Sequence, residues 1–328
     1  MGLFDVNNIF SLSHDPAAFL EASLQTFHCQ YQENPVYREW CQLTGADPGK
    51  CKTLVSIPAL PISFFKSREV VSGQFQPEVV FESSGTTQQL TSRHLVKELA
   101  LYWRSFLEAF RLFYGEVTEW CVLGLLPSYL ERQHSSLVMM VDELIRASGH
   151  PDSGFYLYDH QQLSDVLQQQ ETKGQKTLLI GVTFALLDFA ASHPQQLIHT
   201  VVMETGGMKG RRKELTRVEV HRLLTEGLGV TSVHSEYGMT ELLSQAYSTG
   251  EGRFVCPPWM KVLVRDEEDP FFVKETGRGI LQVIDLANRY SVSFIATEDV
   301  GQVFEDGSFE VWGRLDNSDI RGCSQLVV

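Results

Sequence analysis

Segments that read as β-strands alternate with segments that read as α-helices through the middle of this chain. The strand-like segments are short apolar runs, and the helical segments carry apolar residues three and four positions apart. This alternation predicts an α/β fold in which helices cover a mostly parallel sheet. The predicted strands are Trp120–Leu126, Phe155–Tyr158, Lys176–Gly181, His199–Met203 and Thr231–His234. The predicted helices cover residues 94–113, 133–148, 160–171, 183–192 and 214–226.

After about residue 250 the helical pattern disappears, and strand-like runs with an Asp306-Gly307 turn follow. This change predicts a small β-rich subdomain at the end of the chain. At the other end, Asp15 and Pro16 are a capping residue and a first-turn proline, so a helix is expected there. We therefore expect three parts, namely an N-terminal helical segment (1–60), an α/β core (61–250) and a β-rich subdomain with a C-terminal tail (251–328).

Composition excludes several classes of protein. Lys and Arg number 27 against 41 Asp and Glu, a net charge of −14, which disfavours nucleic acid or an anionic membrane as the main partner. No apolar run reaches the roughly 18 residues of a membrane span, and the N-terminus does not resemble a secretion signal, so we expect a cytoplasmic protein. The six cysteines form no CxxC pair, which favours reduced thiols over structural zinc.

A short loop rich in small hydroxyl residues, Ser83-Ser84-Gly85-Thr86-Thr87, follows the apolar run Val79–Phe81. Small residues let a backbone approach a polyphosphate, and exposed N–H and hydroxyl groups donate hydrogen bonds to it. We expect a helix beginning near His94 to add its positive end. The loop lacks the lysine of a Walker motif, and an ordinary turn between two elements would have a similar composition.

Three further motifs follow this loop along the chain. They are Ser235–Glu241, Thr297–Gly301 and Trp312–Asp316, and a Gly-Gly pair in Glu204–Lys209 precedes the first of them. The loop and these motifs together resemble the adenylate-forming superfamily of acyl and aryl ligases, in particular the LuxE-type acyl-protein synthetases, and the resemblance runs from about Phe64 to the C-terminus. It implies the fold of the N-terminal domain of those enzymes and the ATP-dependent conversion of a carboxylic acid into an acyl adenylate.

The resemblance assigns ATP and Mg²⁺ to these residues. Thr240 contacts the phosphate of the acyl adenylate, and Glu241 helps to hold Mg²⁺. A glutamate after Gly-Met-Thr is also common at the start of a helix on capping grounds alone, as a solvated residue. The residues expected to wrap the leaving phosphates are Ser83, Ser84, Gly85, Thr86 and Thr87.

The remaining motif residues are expected to bind the nucleoside. Tyr237 resembles the aromatic residue that stacks on adenine, although a buried core tyrosine is the alternative. Asp299 resembles the ribose-binding aspartate, and Arg314 resembles the arginine that contacts ribose or phosphate. The glycines expected to let the backbone approach the nucleotide are Gly206, Gly207 and Gly238.

The longer ligases carry a mobile C-terminal domain with a catalytic lysine, and this sequence departs from them there. Only Asn317–Val328 follow the last motif, and no lysine follows Lys274. We therefore expect the mobile domain to be missing. Either Lys209 or Arg211 replaces the lysine, or a partner subunit assists activation. Lys209 has the alternative of being a solvated surface charge.

The LuxE-type resemblance also implies that a thiol near the C-terminus receives the acyl group. Cys323 is the predicted acceptor, and Arg321 nearby would lower the pKa of its thiol. Cys51, flanked by Lys50 and Lys52, has an equal electrostatic claim. The resemblance further implies a partner acyl reductase that takes the acyl group onward.

The position of Leu137, Met139 and Met140 corresponds to the acyl pocket of the superfamily, although a Leu/Met stripe on a helix is more often core. The resemblance implies a fatty acid, of undetermined chain length, as the acid. Two other functions remain open. The protein is either a ligase that delivers the acyl group to coenzyme A or a carrier protein, or a non-catalytic nucleotide-binding subunit of an acyl-reductase complex.

Overall fold

A computed structural model describes residues 6–83, 91–127, 134–206 and 215–315. Its helices are α1 Pro16–Glu33, α2 Pro35–Leu43, α3 Phe64–Ser67, α4 Leu99–Tyr114, α5 Ser136–Ser148, α6 His160–Lys173, α7 Thr183–Ser192 and α8 Arg217–Leu228. Three 3₁₀ turns cover Val6–Ser11, Leu54–Ser56 and Val117–Glu119.

The strands are numbered in chain order. Those of the first part of the chain are β1 Leu60–Pro61, β2 Val79–Glu82, β3 Arg93–Val96, β4 Cys121–Leu125, β5 Gly154–Phe155, β6 Thr177–Gly181, β7 Thr200–Glu204 and β8 Val233–Tyr237. The rest are β9 Ala246–Ser248, β10 Arg253–Phe254, β11 Met260–Arg265, β12 Val273–Lys274, β13 Gly277–Asp285, β14 Phe294–Val303 and β15 Phe309–Arg314.

The predicted parallel sheet is confirmed. Its strand order is β5-β4-β6-β7-β8-β9, and every neighbouring pair is parallel except β8 and β9. Alternate strand residues enter two separate apolar cores, because successive side chains point to opposite faces of a sheet. Val122 and Leu178 belong to one core with α4 and α5, whereas Leu123 and Leu179 belong to the other with α6, α7 and α8.

The predicted β-rich subdomain is also confirmed. A second sheet has the strand order β10-β15-β14-β13-β11-β12, and all of these pairs are antiparallel. The short strand β1 adds to β14 in parallel. No helix follows Leu228 in the part of the chain that the structure describes.

The N-terminal helices pack against this second sheet. Asp15 accepts a hydrogen bond from the backbone N–H of Ala17 and caps α1, as its sequence predicted. Buried Gln30 donates to the carbonyls of Asn288 and Arg289, and buried Asn34 donates to the carbonyl of Ser291. These bonds tie the start of the chain to a turn that lies more than 250 residues later.

One local prediction was wrong. The segment after the Ser/Thr/Gly loop is the strand β3, and the helix α4 begins only at Leu99. Residues Arg93–Val96 pair antiparallel with β2, so Glu82 lies opposite Arg93 and Phe81 lies opposite buried His94. The loop therefore joins two strands of a hairpin, and no helix N-terminus follows it directly.

Within the described ranges, no helix is long and apolar enough to cross a membrane.

Candidate nucleotide-binding site

The predicted motifs meet at the carboxyl edge of the parallel sheet. The strands β4, β6, β7 and β8 all end at this edge, since they run in one direction. The chain turns there into Leu126–Pro127, Val182–Thr183, Thr205–Gly206 and Gly238–Thr240. Ligands of open α/β sheets bind outside the carboxyl ends of the strands, so this edge is the expected place for a site.

A cavity of about 430 Å³ opens at this edge. It is lined by Glu82, Ser83, Tyr102, His134, Ser135, Ser136, Leu137, Met140, Thr205, Glu236, Gly238, Met239, Thr240 and Gln245. Three predicted nucleotide-site residues, Ser83, Gly238 and Thr240, are among them. Of the predicted acyl-pocket residues, Leu137 and Met140 line the cavity, whereas Met139 is buried in the apolar core.

Asp299 forms the centre of a buried hydrogen-bonded network. The Tyr237 hydroxyl donates to its Oδ2 over 2.8 Å, and Arg314 Nε donates to its Oδ1 over 2.9 Å. Asp299 is only 4% exposed, whereas half of the Arg314 side chain is exposed. The structure thus joins three predicted residues that are as many as 77 positions apart in the chain.

Tyr237 itself is a buried residue. Its ring packs against Phe254 and edge-on against Phe309, with centroids 5.8 and 5.2 Å away. Burial, with the neighbouring Asp299 carboxylate adding to it, holds the pKa of Tyr237 well above its usual value. The hydroxyl is therefore a donor at neutral pH, and its position agrees with the core-tyrosine alternative. Stacking on adenine remains a prediction.

Two buried side chains hold the loop that carries Thr240 and Glu241. His94 Nδ1 lies 2.9 Å from the carbonyl oxygen of Thr240, and Asn288 Nδ2 donates to the carbonyl oxygen of Glu241 over 2.6 Å. Burial lowers the pKa of His94 to about 4, so the ring is neutral, and Nδ1 must carry the proton that it donates. The sequence reasoning missed both residues, since neither belongs to a motif.

The turn after Glu241 is held by the buried carboxylate of Asp285. This group accepts hydrogen bonds from the backbone N–H groups of Leu243, Ser244 and Ala287 and from the Ser244 hydroxyl. Four donors on one carboxylate fix the turn against the end of β13. Asp285 is another positioning residue that the sequence reasoning missed.

Glu241, the predicted magnesium residue, is 5% exposed. Burial raises the pKa of its carboxyl group, while a hydrogen bond with Ser92 and the charges of Arg314 and Lys66 oppose that rise. No group of three or more metal-ligating side chains occurs among the described residues. A single carboxylate still suits Mg²⁺, because this ion commonly keeps waters and binds one or two carboxylates together with substrate phosphates.

The predicted glycine turn follows another buried carboxylate, Glu204. Gly206 has φ +76°, which favours glycine, and its N–H donates to Glu204 Oε2 over 2.8 Å. Burial alone would raise the pKa of Glu204. Hydrogen bonds from His221, Ser235 and the Gly206 N–H, with the charge of Arg217, instead lower this pKa to about 2. Glu204 therefore carries a stable negative charge beneath the turn.

Glu236 lies on the neighbouring strand β8, and its pKa is shifted in the opposite direction from that of Glu204. Its half-buried side chain lines the cavity, and burial together with the charge of Glu204 raises its pKa to about 8. A Cβ atom at Gly238 would collide with Oε1 of Glu236. Because this oxygen is the end of a flexible side chain, the contact alone does not require glycine at position 238.

Several predicted residues lie outside the described part of the chain. These are Ser84, Gly85, Thr86, Thr87, Gly207, Lys209, Arg211, Arg321 and Cys323. Ser83, at the edge of the loop, exchanges hydrogen bonds with Ser92 at 2.9 and 3.1 Å and closes the hairpin. The alternative thiol, Cys51, is 6% exposed, and burial raises its pKa, which disfavours a reactive thiolate there.

No protein-family model and no curated protein matches the chain. Several solved structures, however, superpose on it. ATP-bound MatB from Rhodopseudomonas palustris superposes with a TM-score of 0.54 at 18% identity, over 74% of this chain and 49% of that one. The luciferase-like enzyme from the nonluminescent mealworm Zophobas morio gives a TM-score of 0.50 at 15% identity, over 83% and 61%. The chain thus spans about half the length of MatB. These likenesses show that it has the fold of the N-terminal domain of adenylate-forming enzymes.

Proposed function

We propose that this protein activates a carboxylic acid with ATP to form an acyl adenylate. One observation carries the proposal. Asp299, Tyr237 and Arg314 form a hydrogen-bonded network, and the charge of Arg314 acts on buried Glu241, which follows the cavity residue Thr240. The proposal is supported because the Asp299 carboxylate suits sugar hydroxyls and Thr240 suits a phosphate, within a fold shared with a protein that was solved with ATP.

The proposed reaction forms one bond and breaks another. A carboxylate oxygen attacks the α-phosphorus of ATP, and the bond from that phosphorus to the pyrophosphate oxygen breaks. Negative charge develops on the departing pyrophosphate and on the α-phosphate, so donors and cations placed there lower the barrier. Thr240 would donate to the α-phosphate, Arg314 would supply positive charge, and Asp299 would accept hydrogen bonds from the ribose.

Magnesium would be held by Glu241, with the phosphates and water completing its coordination. When bound, it would neutralise phosphate charge during the transfer. Two buried neighbours of Glu241 fix the backbone of this loop. His94 and Asn288 hold the carbonyls of Thr240 and Glu241, so that both side chains start from a fixed backbone.

Acid-dependent exchange of labelled pyrophosphate into ATP tests this proposal. We expect exchange with at least one member of a panel of short, long and aromatic acids, and loss of exchange in Asp299→Asn. The matched control is Asp306→Asn, which removes an exposed carboxylate paired with Arg253 at 3.1 Å. Failure of exchange across the whole panel would contradict catalysis and favour a non-catalytic nucleotide-binding subunit.

For the second step we propose transfer of the acyl group to a protein thiol, with Cys323 as the acceptor and an acyl reductase as the onward partner. The thiolate would attack the acyl carbon and release AMP. This step rests on the sequence resemblance to LuxE-type synthetases. The same resemblance suggests a fatty acid as the substrate.

Intact-protein mass after incubation with ATP, Mg²⁺ and the acid tests the transfer. We expect an acyl adduct that is released by hydroxylamine and absent from Cys323→Ser. Cys51→Ser is the matched control and should keep the adduct. Exchange activity without any adduct would instead favour transfer to coenzyme A or to a carrier protein.

A further inference from the structure

A second cavity, of about 380 Å³, lies on the antiparallel sheet. Its floor consists of Arg265 on β11, Gln282 on β13 and Ala296 on β14. Gln282 is paired with Leu263 and with Ala296 across the two neighbouring strands, and Arg265 is two residues from Leu263. These side chains therefore share one face of the sheet.

The walls of this cavity are apolar. Trp40 at the end of α2, Val55 in the following connector and Phe271 in the turn between β11 and β12 contribute to it. The indole N–H of Trp40 donates to the carbonyl of Ala59 over 2.9 Å. The polar atom of this side chain is therefore satisfied, and the rest of the ring contributes an apolar surface to the cavity. Phe271 is exposed at 66% of its surface, so its ring is accessible to a ligand in the cavity.

This cavity is separate from the candidate nucleotide site. Among the residues that the structure describes, the two cavities share no lining residue. Thr297 Oγ1 donates to the carbonyl of Leu281, and Asp299 points toward Tyr237.

The floor carries hydrogen-bond donors that lack acceptors. Arg265 Nε and Gln282 Nε2 are buried and have no partner, and Gln282 is only 2% exposed. Arg265 Nη2 donates to the carbonyl of Thr297 over 2.8 Å. Among the described residues Arg265 forms no close ion pair, although burial lowers its pKa and the charge of Glu298 acts against that shift. A partly buried guanidinium that lines the cavity favours an anionic ligand, because a buried charge without a close ion-pair partner is destabilising.

The rim limits the charge of such a ligand. Asp266, Glu267, Glu268 and Asp269 stand in sequence beside Arg265 and are largely exposed to solvent. Oδ1 of Asp266 accepts the backbone N–H groups of Glu268 and Asp269, so it is turned toward its own loop. Four carboxylates that follow Arg265 in the chain repel polyphosphates more strongly than they repel a single carboxylate.

We propose that this second cavity binds a monocarboxylate with an apolar body. The carboxylate would pair with the Arg265 guanidinium, and the apolar body would lie against Trp40, Val55 and Phe271. Charge-assisted hydrogen bonds between a guanidinium and a carboxylate are stronger than bonds between neutral groups. This binding site is independent of the adenylation proposed above.

Quenching of Trp40 fluorescence by 8-bromooctanoate tests the proposal on the full chain. We expect saturable quenching that is absent from Trp40→Phe, competed by octanoate and not by octanol or ATP. Arg265→Met should weaken binding at least tenfold, as expected for loss of a hydrogen bond to a charged group. Arg278→Met is the matched control, since Arg278 is an exposed arginine on β13 outside the cavity, and it should bind normally.

A second variant guards against misfolding of Arg265→Met. Val55→Phe fills the cavity from the wall and removes no polar group, so it should also abolish the quenching. Asp299→Asn should keep the quenching, even if it loses nucleotide binding. Competition by octanol equal to that by octanoate, unchanged affinity in Arg265→Met, or quenching that persists in Trp40→Phe would each overturn the proposal.

Discussion

Arg314 donates from Nε to Oδ1 of Asp299 over 2.9 Å, and the two residues lie directly opposite each other on β15 and β14. Asp299 is buried, whereas half of the Arg314 side chain is in contact with solvent. The pair therefore lies at the edge of the protein interior, where the Asp299 carboxylate is buried and the Arg314 guanidinium reaches toward solvent. Tyr237 from the parallel sheet reaches the second oxygen, so one carboxylate joins the two sheets.

Asp299→Asn should weaken ATP binding at least tenfold. The amide cannot accept hydrogen bonds at both of its heavy atoms, and a hydrogen bond to a charged group contributes about 1.5–3 kcal/mol. Titration calorimetry with ATP measures the change. Asp306→Asn, at an exposed ion pair, should bind ATP as the wild type does. Equal affinities in the two variants would remove Asp299 from the site.

Glu241→Gln should lower acid-dependent pyrophosphate exchange by about a hundredfold, because a neutral amide is a poor ligand for Mg²⁺. The fold should survive the change, since the carbonyl of Glu241, and not its carboxylate, accepts the bond from Asn288. Exchange rates measured across a magnesium titration check this prediction. Glu275→Gln, at the exposed Lys261 pair, is the control and should keep full activity.

The parallel sheet could be predicted from the sequence, whereas the buried residues that hold the loops of the candidate site could not. Apolar runs such as Lys176–Gly181 predicted buried parallel strands, because such strands are apolar on both faces. The strand β3 was missed, since its pairing with Glu82 depends on a hairpin and not on local preference. His94 and Asp285 act on backbone groups of a loop distant in sequence, and such contacts leave no spacing pattern to find.

Asp285→Ala should lower the free energy of unfolding by about 3 kcal/mol or more. Three backbone N–H groups and one hydroxyl would lose their acceptor in a buried place, and each unsatisfied group is destabilising by about 1–3 kcal/mol. Urea unfolding measures this. Asp266→Ala is the control, because its two backbone bonds lie in an exposed turn, and a loss above about 1 kcal/mol there would contradict the reasoning.

Glu236 should make the protein less stable as the pH rises. Its pKa is raised from 4.5 to about 8 in the folded state, so the folded protein holds this proton more tightly than the unfolded chain. The resulting stabilisation is complete below about pH 4.5 and is lost as the pH rises through about 8, by at most about 1.4 kcal/mol per pH unit.

Glu236→Gln removes this titration and isolates its effect. As the pH rises from about 5 to about 8, the wild type should lose the stabilisation that comes from protonated Glu236, whereas the variant has no such loss. The free energy of unfolding of the variant minus that of the wild type should therefore increase over this range, as measured by urea unfolding at both pH values. Glu204→Gln is the informative contrast, because the pKa of Glu204 is lowered to about 2. That variant should lose stability at neutral pH. A difference between wild type and Glu236→Gln that is constant with pH would contradict the raised pKa.

Transfer of ¹⁸O from a labelled carboxylic acid tests the proposed chemistry most directly. Attack of the carboxylate on the α-phosphorus, followed by acyl transfer, leaves one of its oxygens on AMP. We expect turnover of ATP with a panel of labelled acids to give AMP that carries a single ¹⁸O, and no such product in Asp299→Asn. Label found in inorganic phosphate together with ADP, or AMP without label, would contradict adenylate formation.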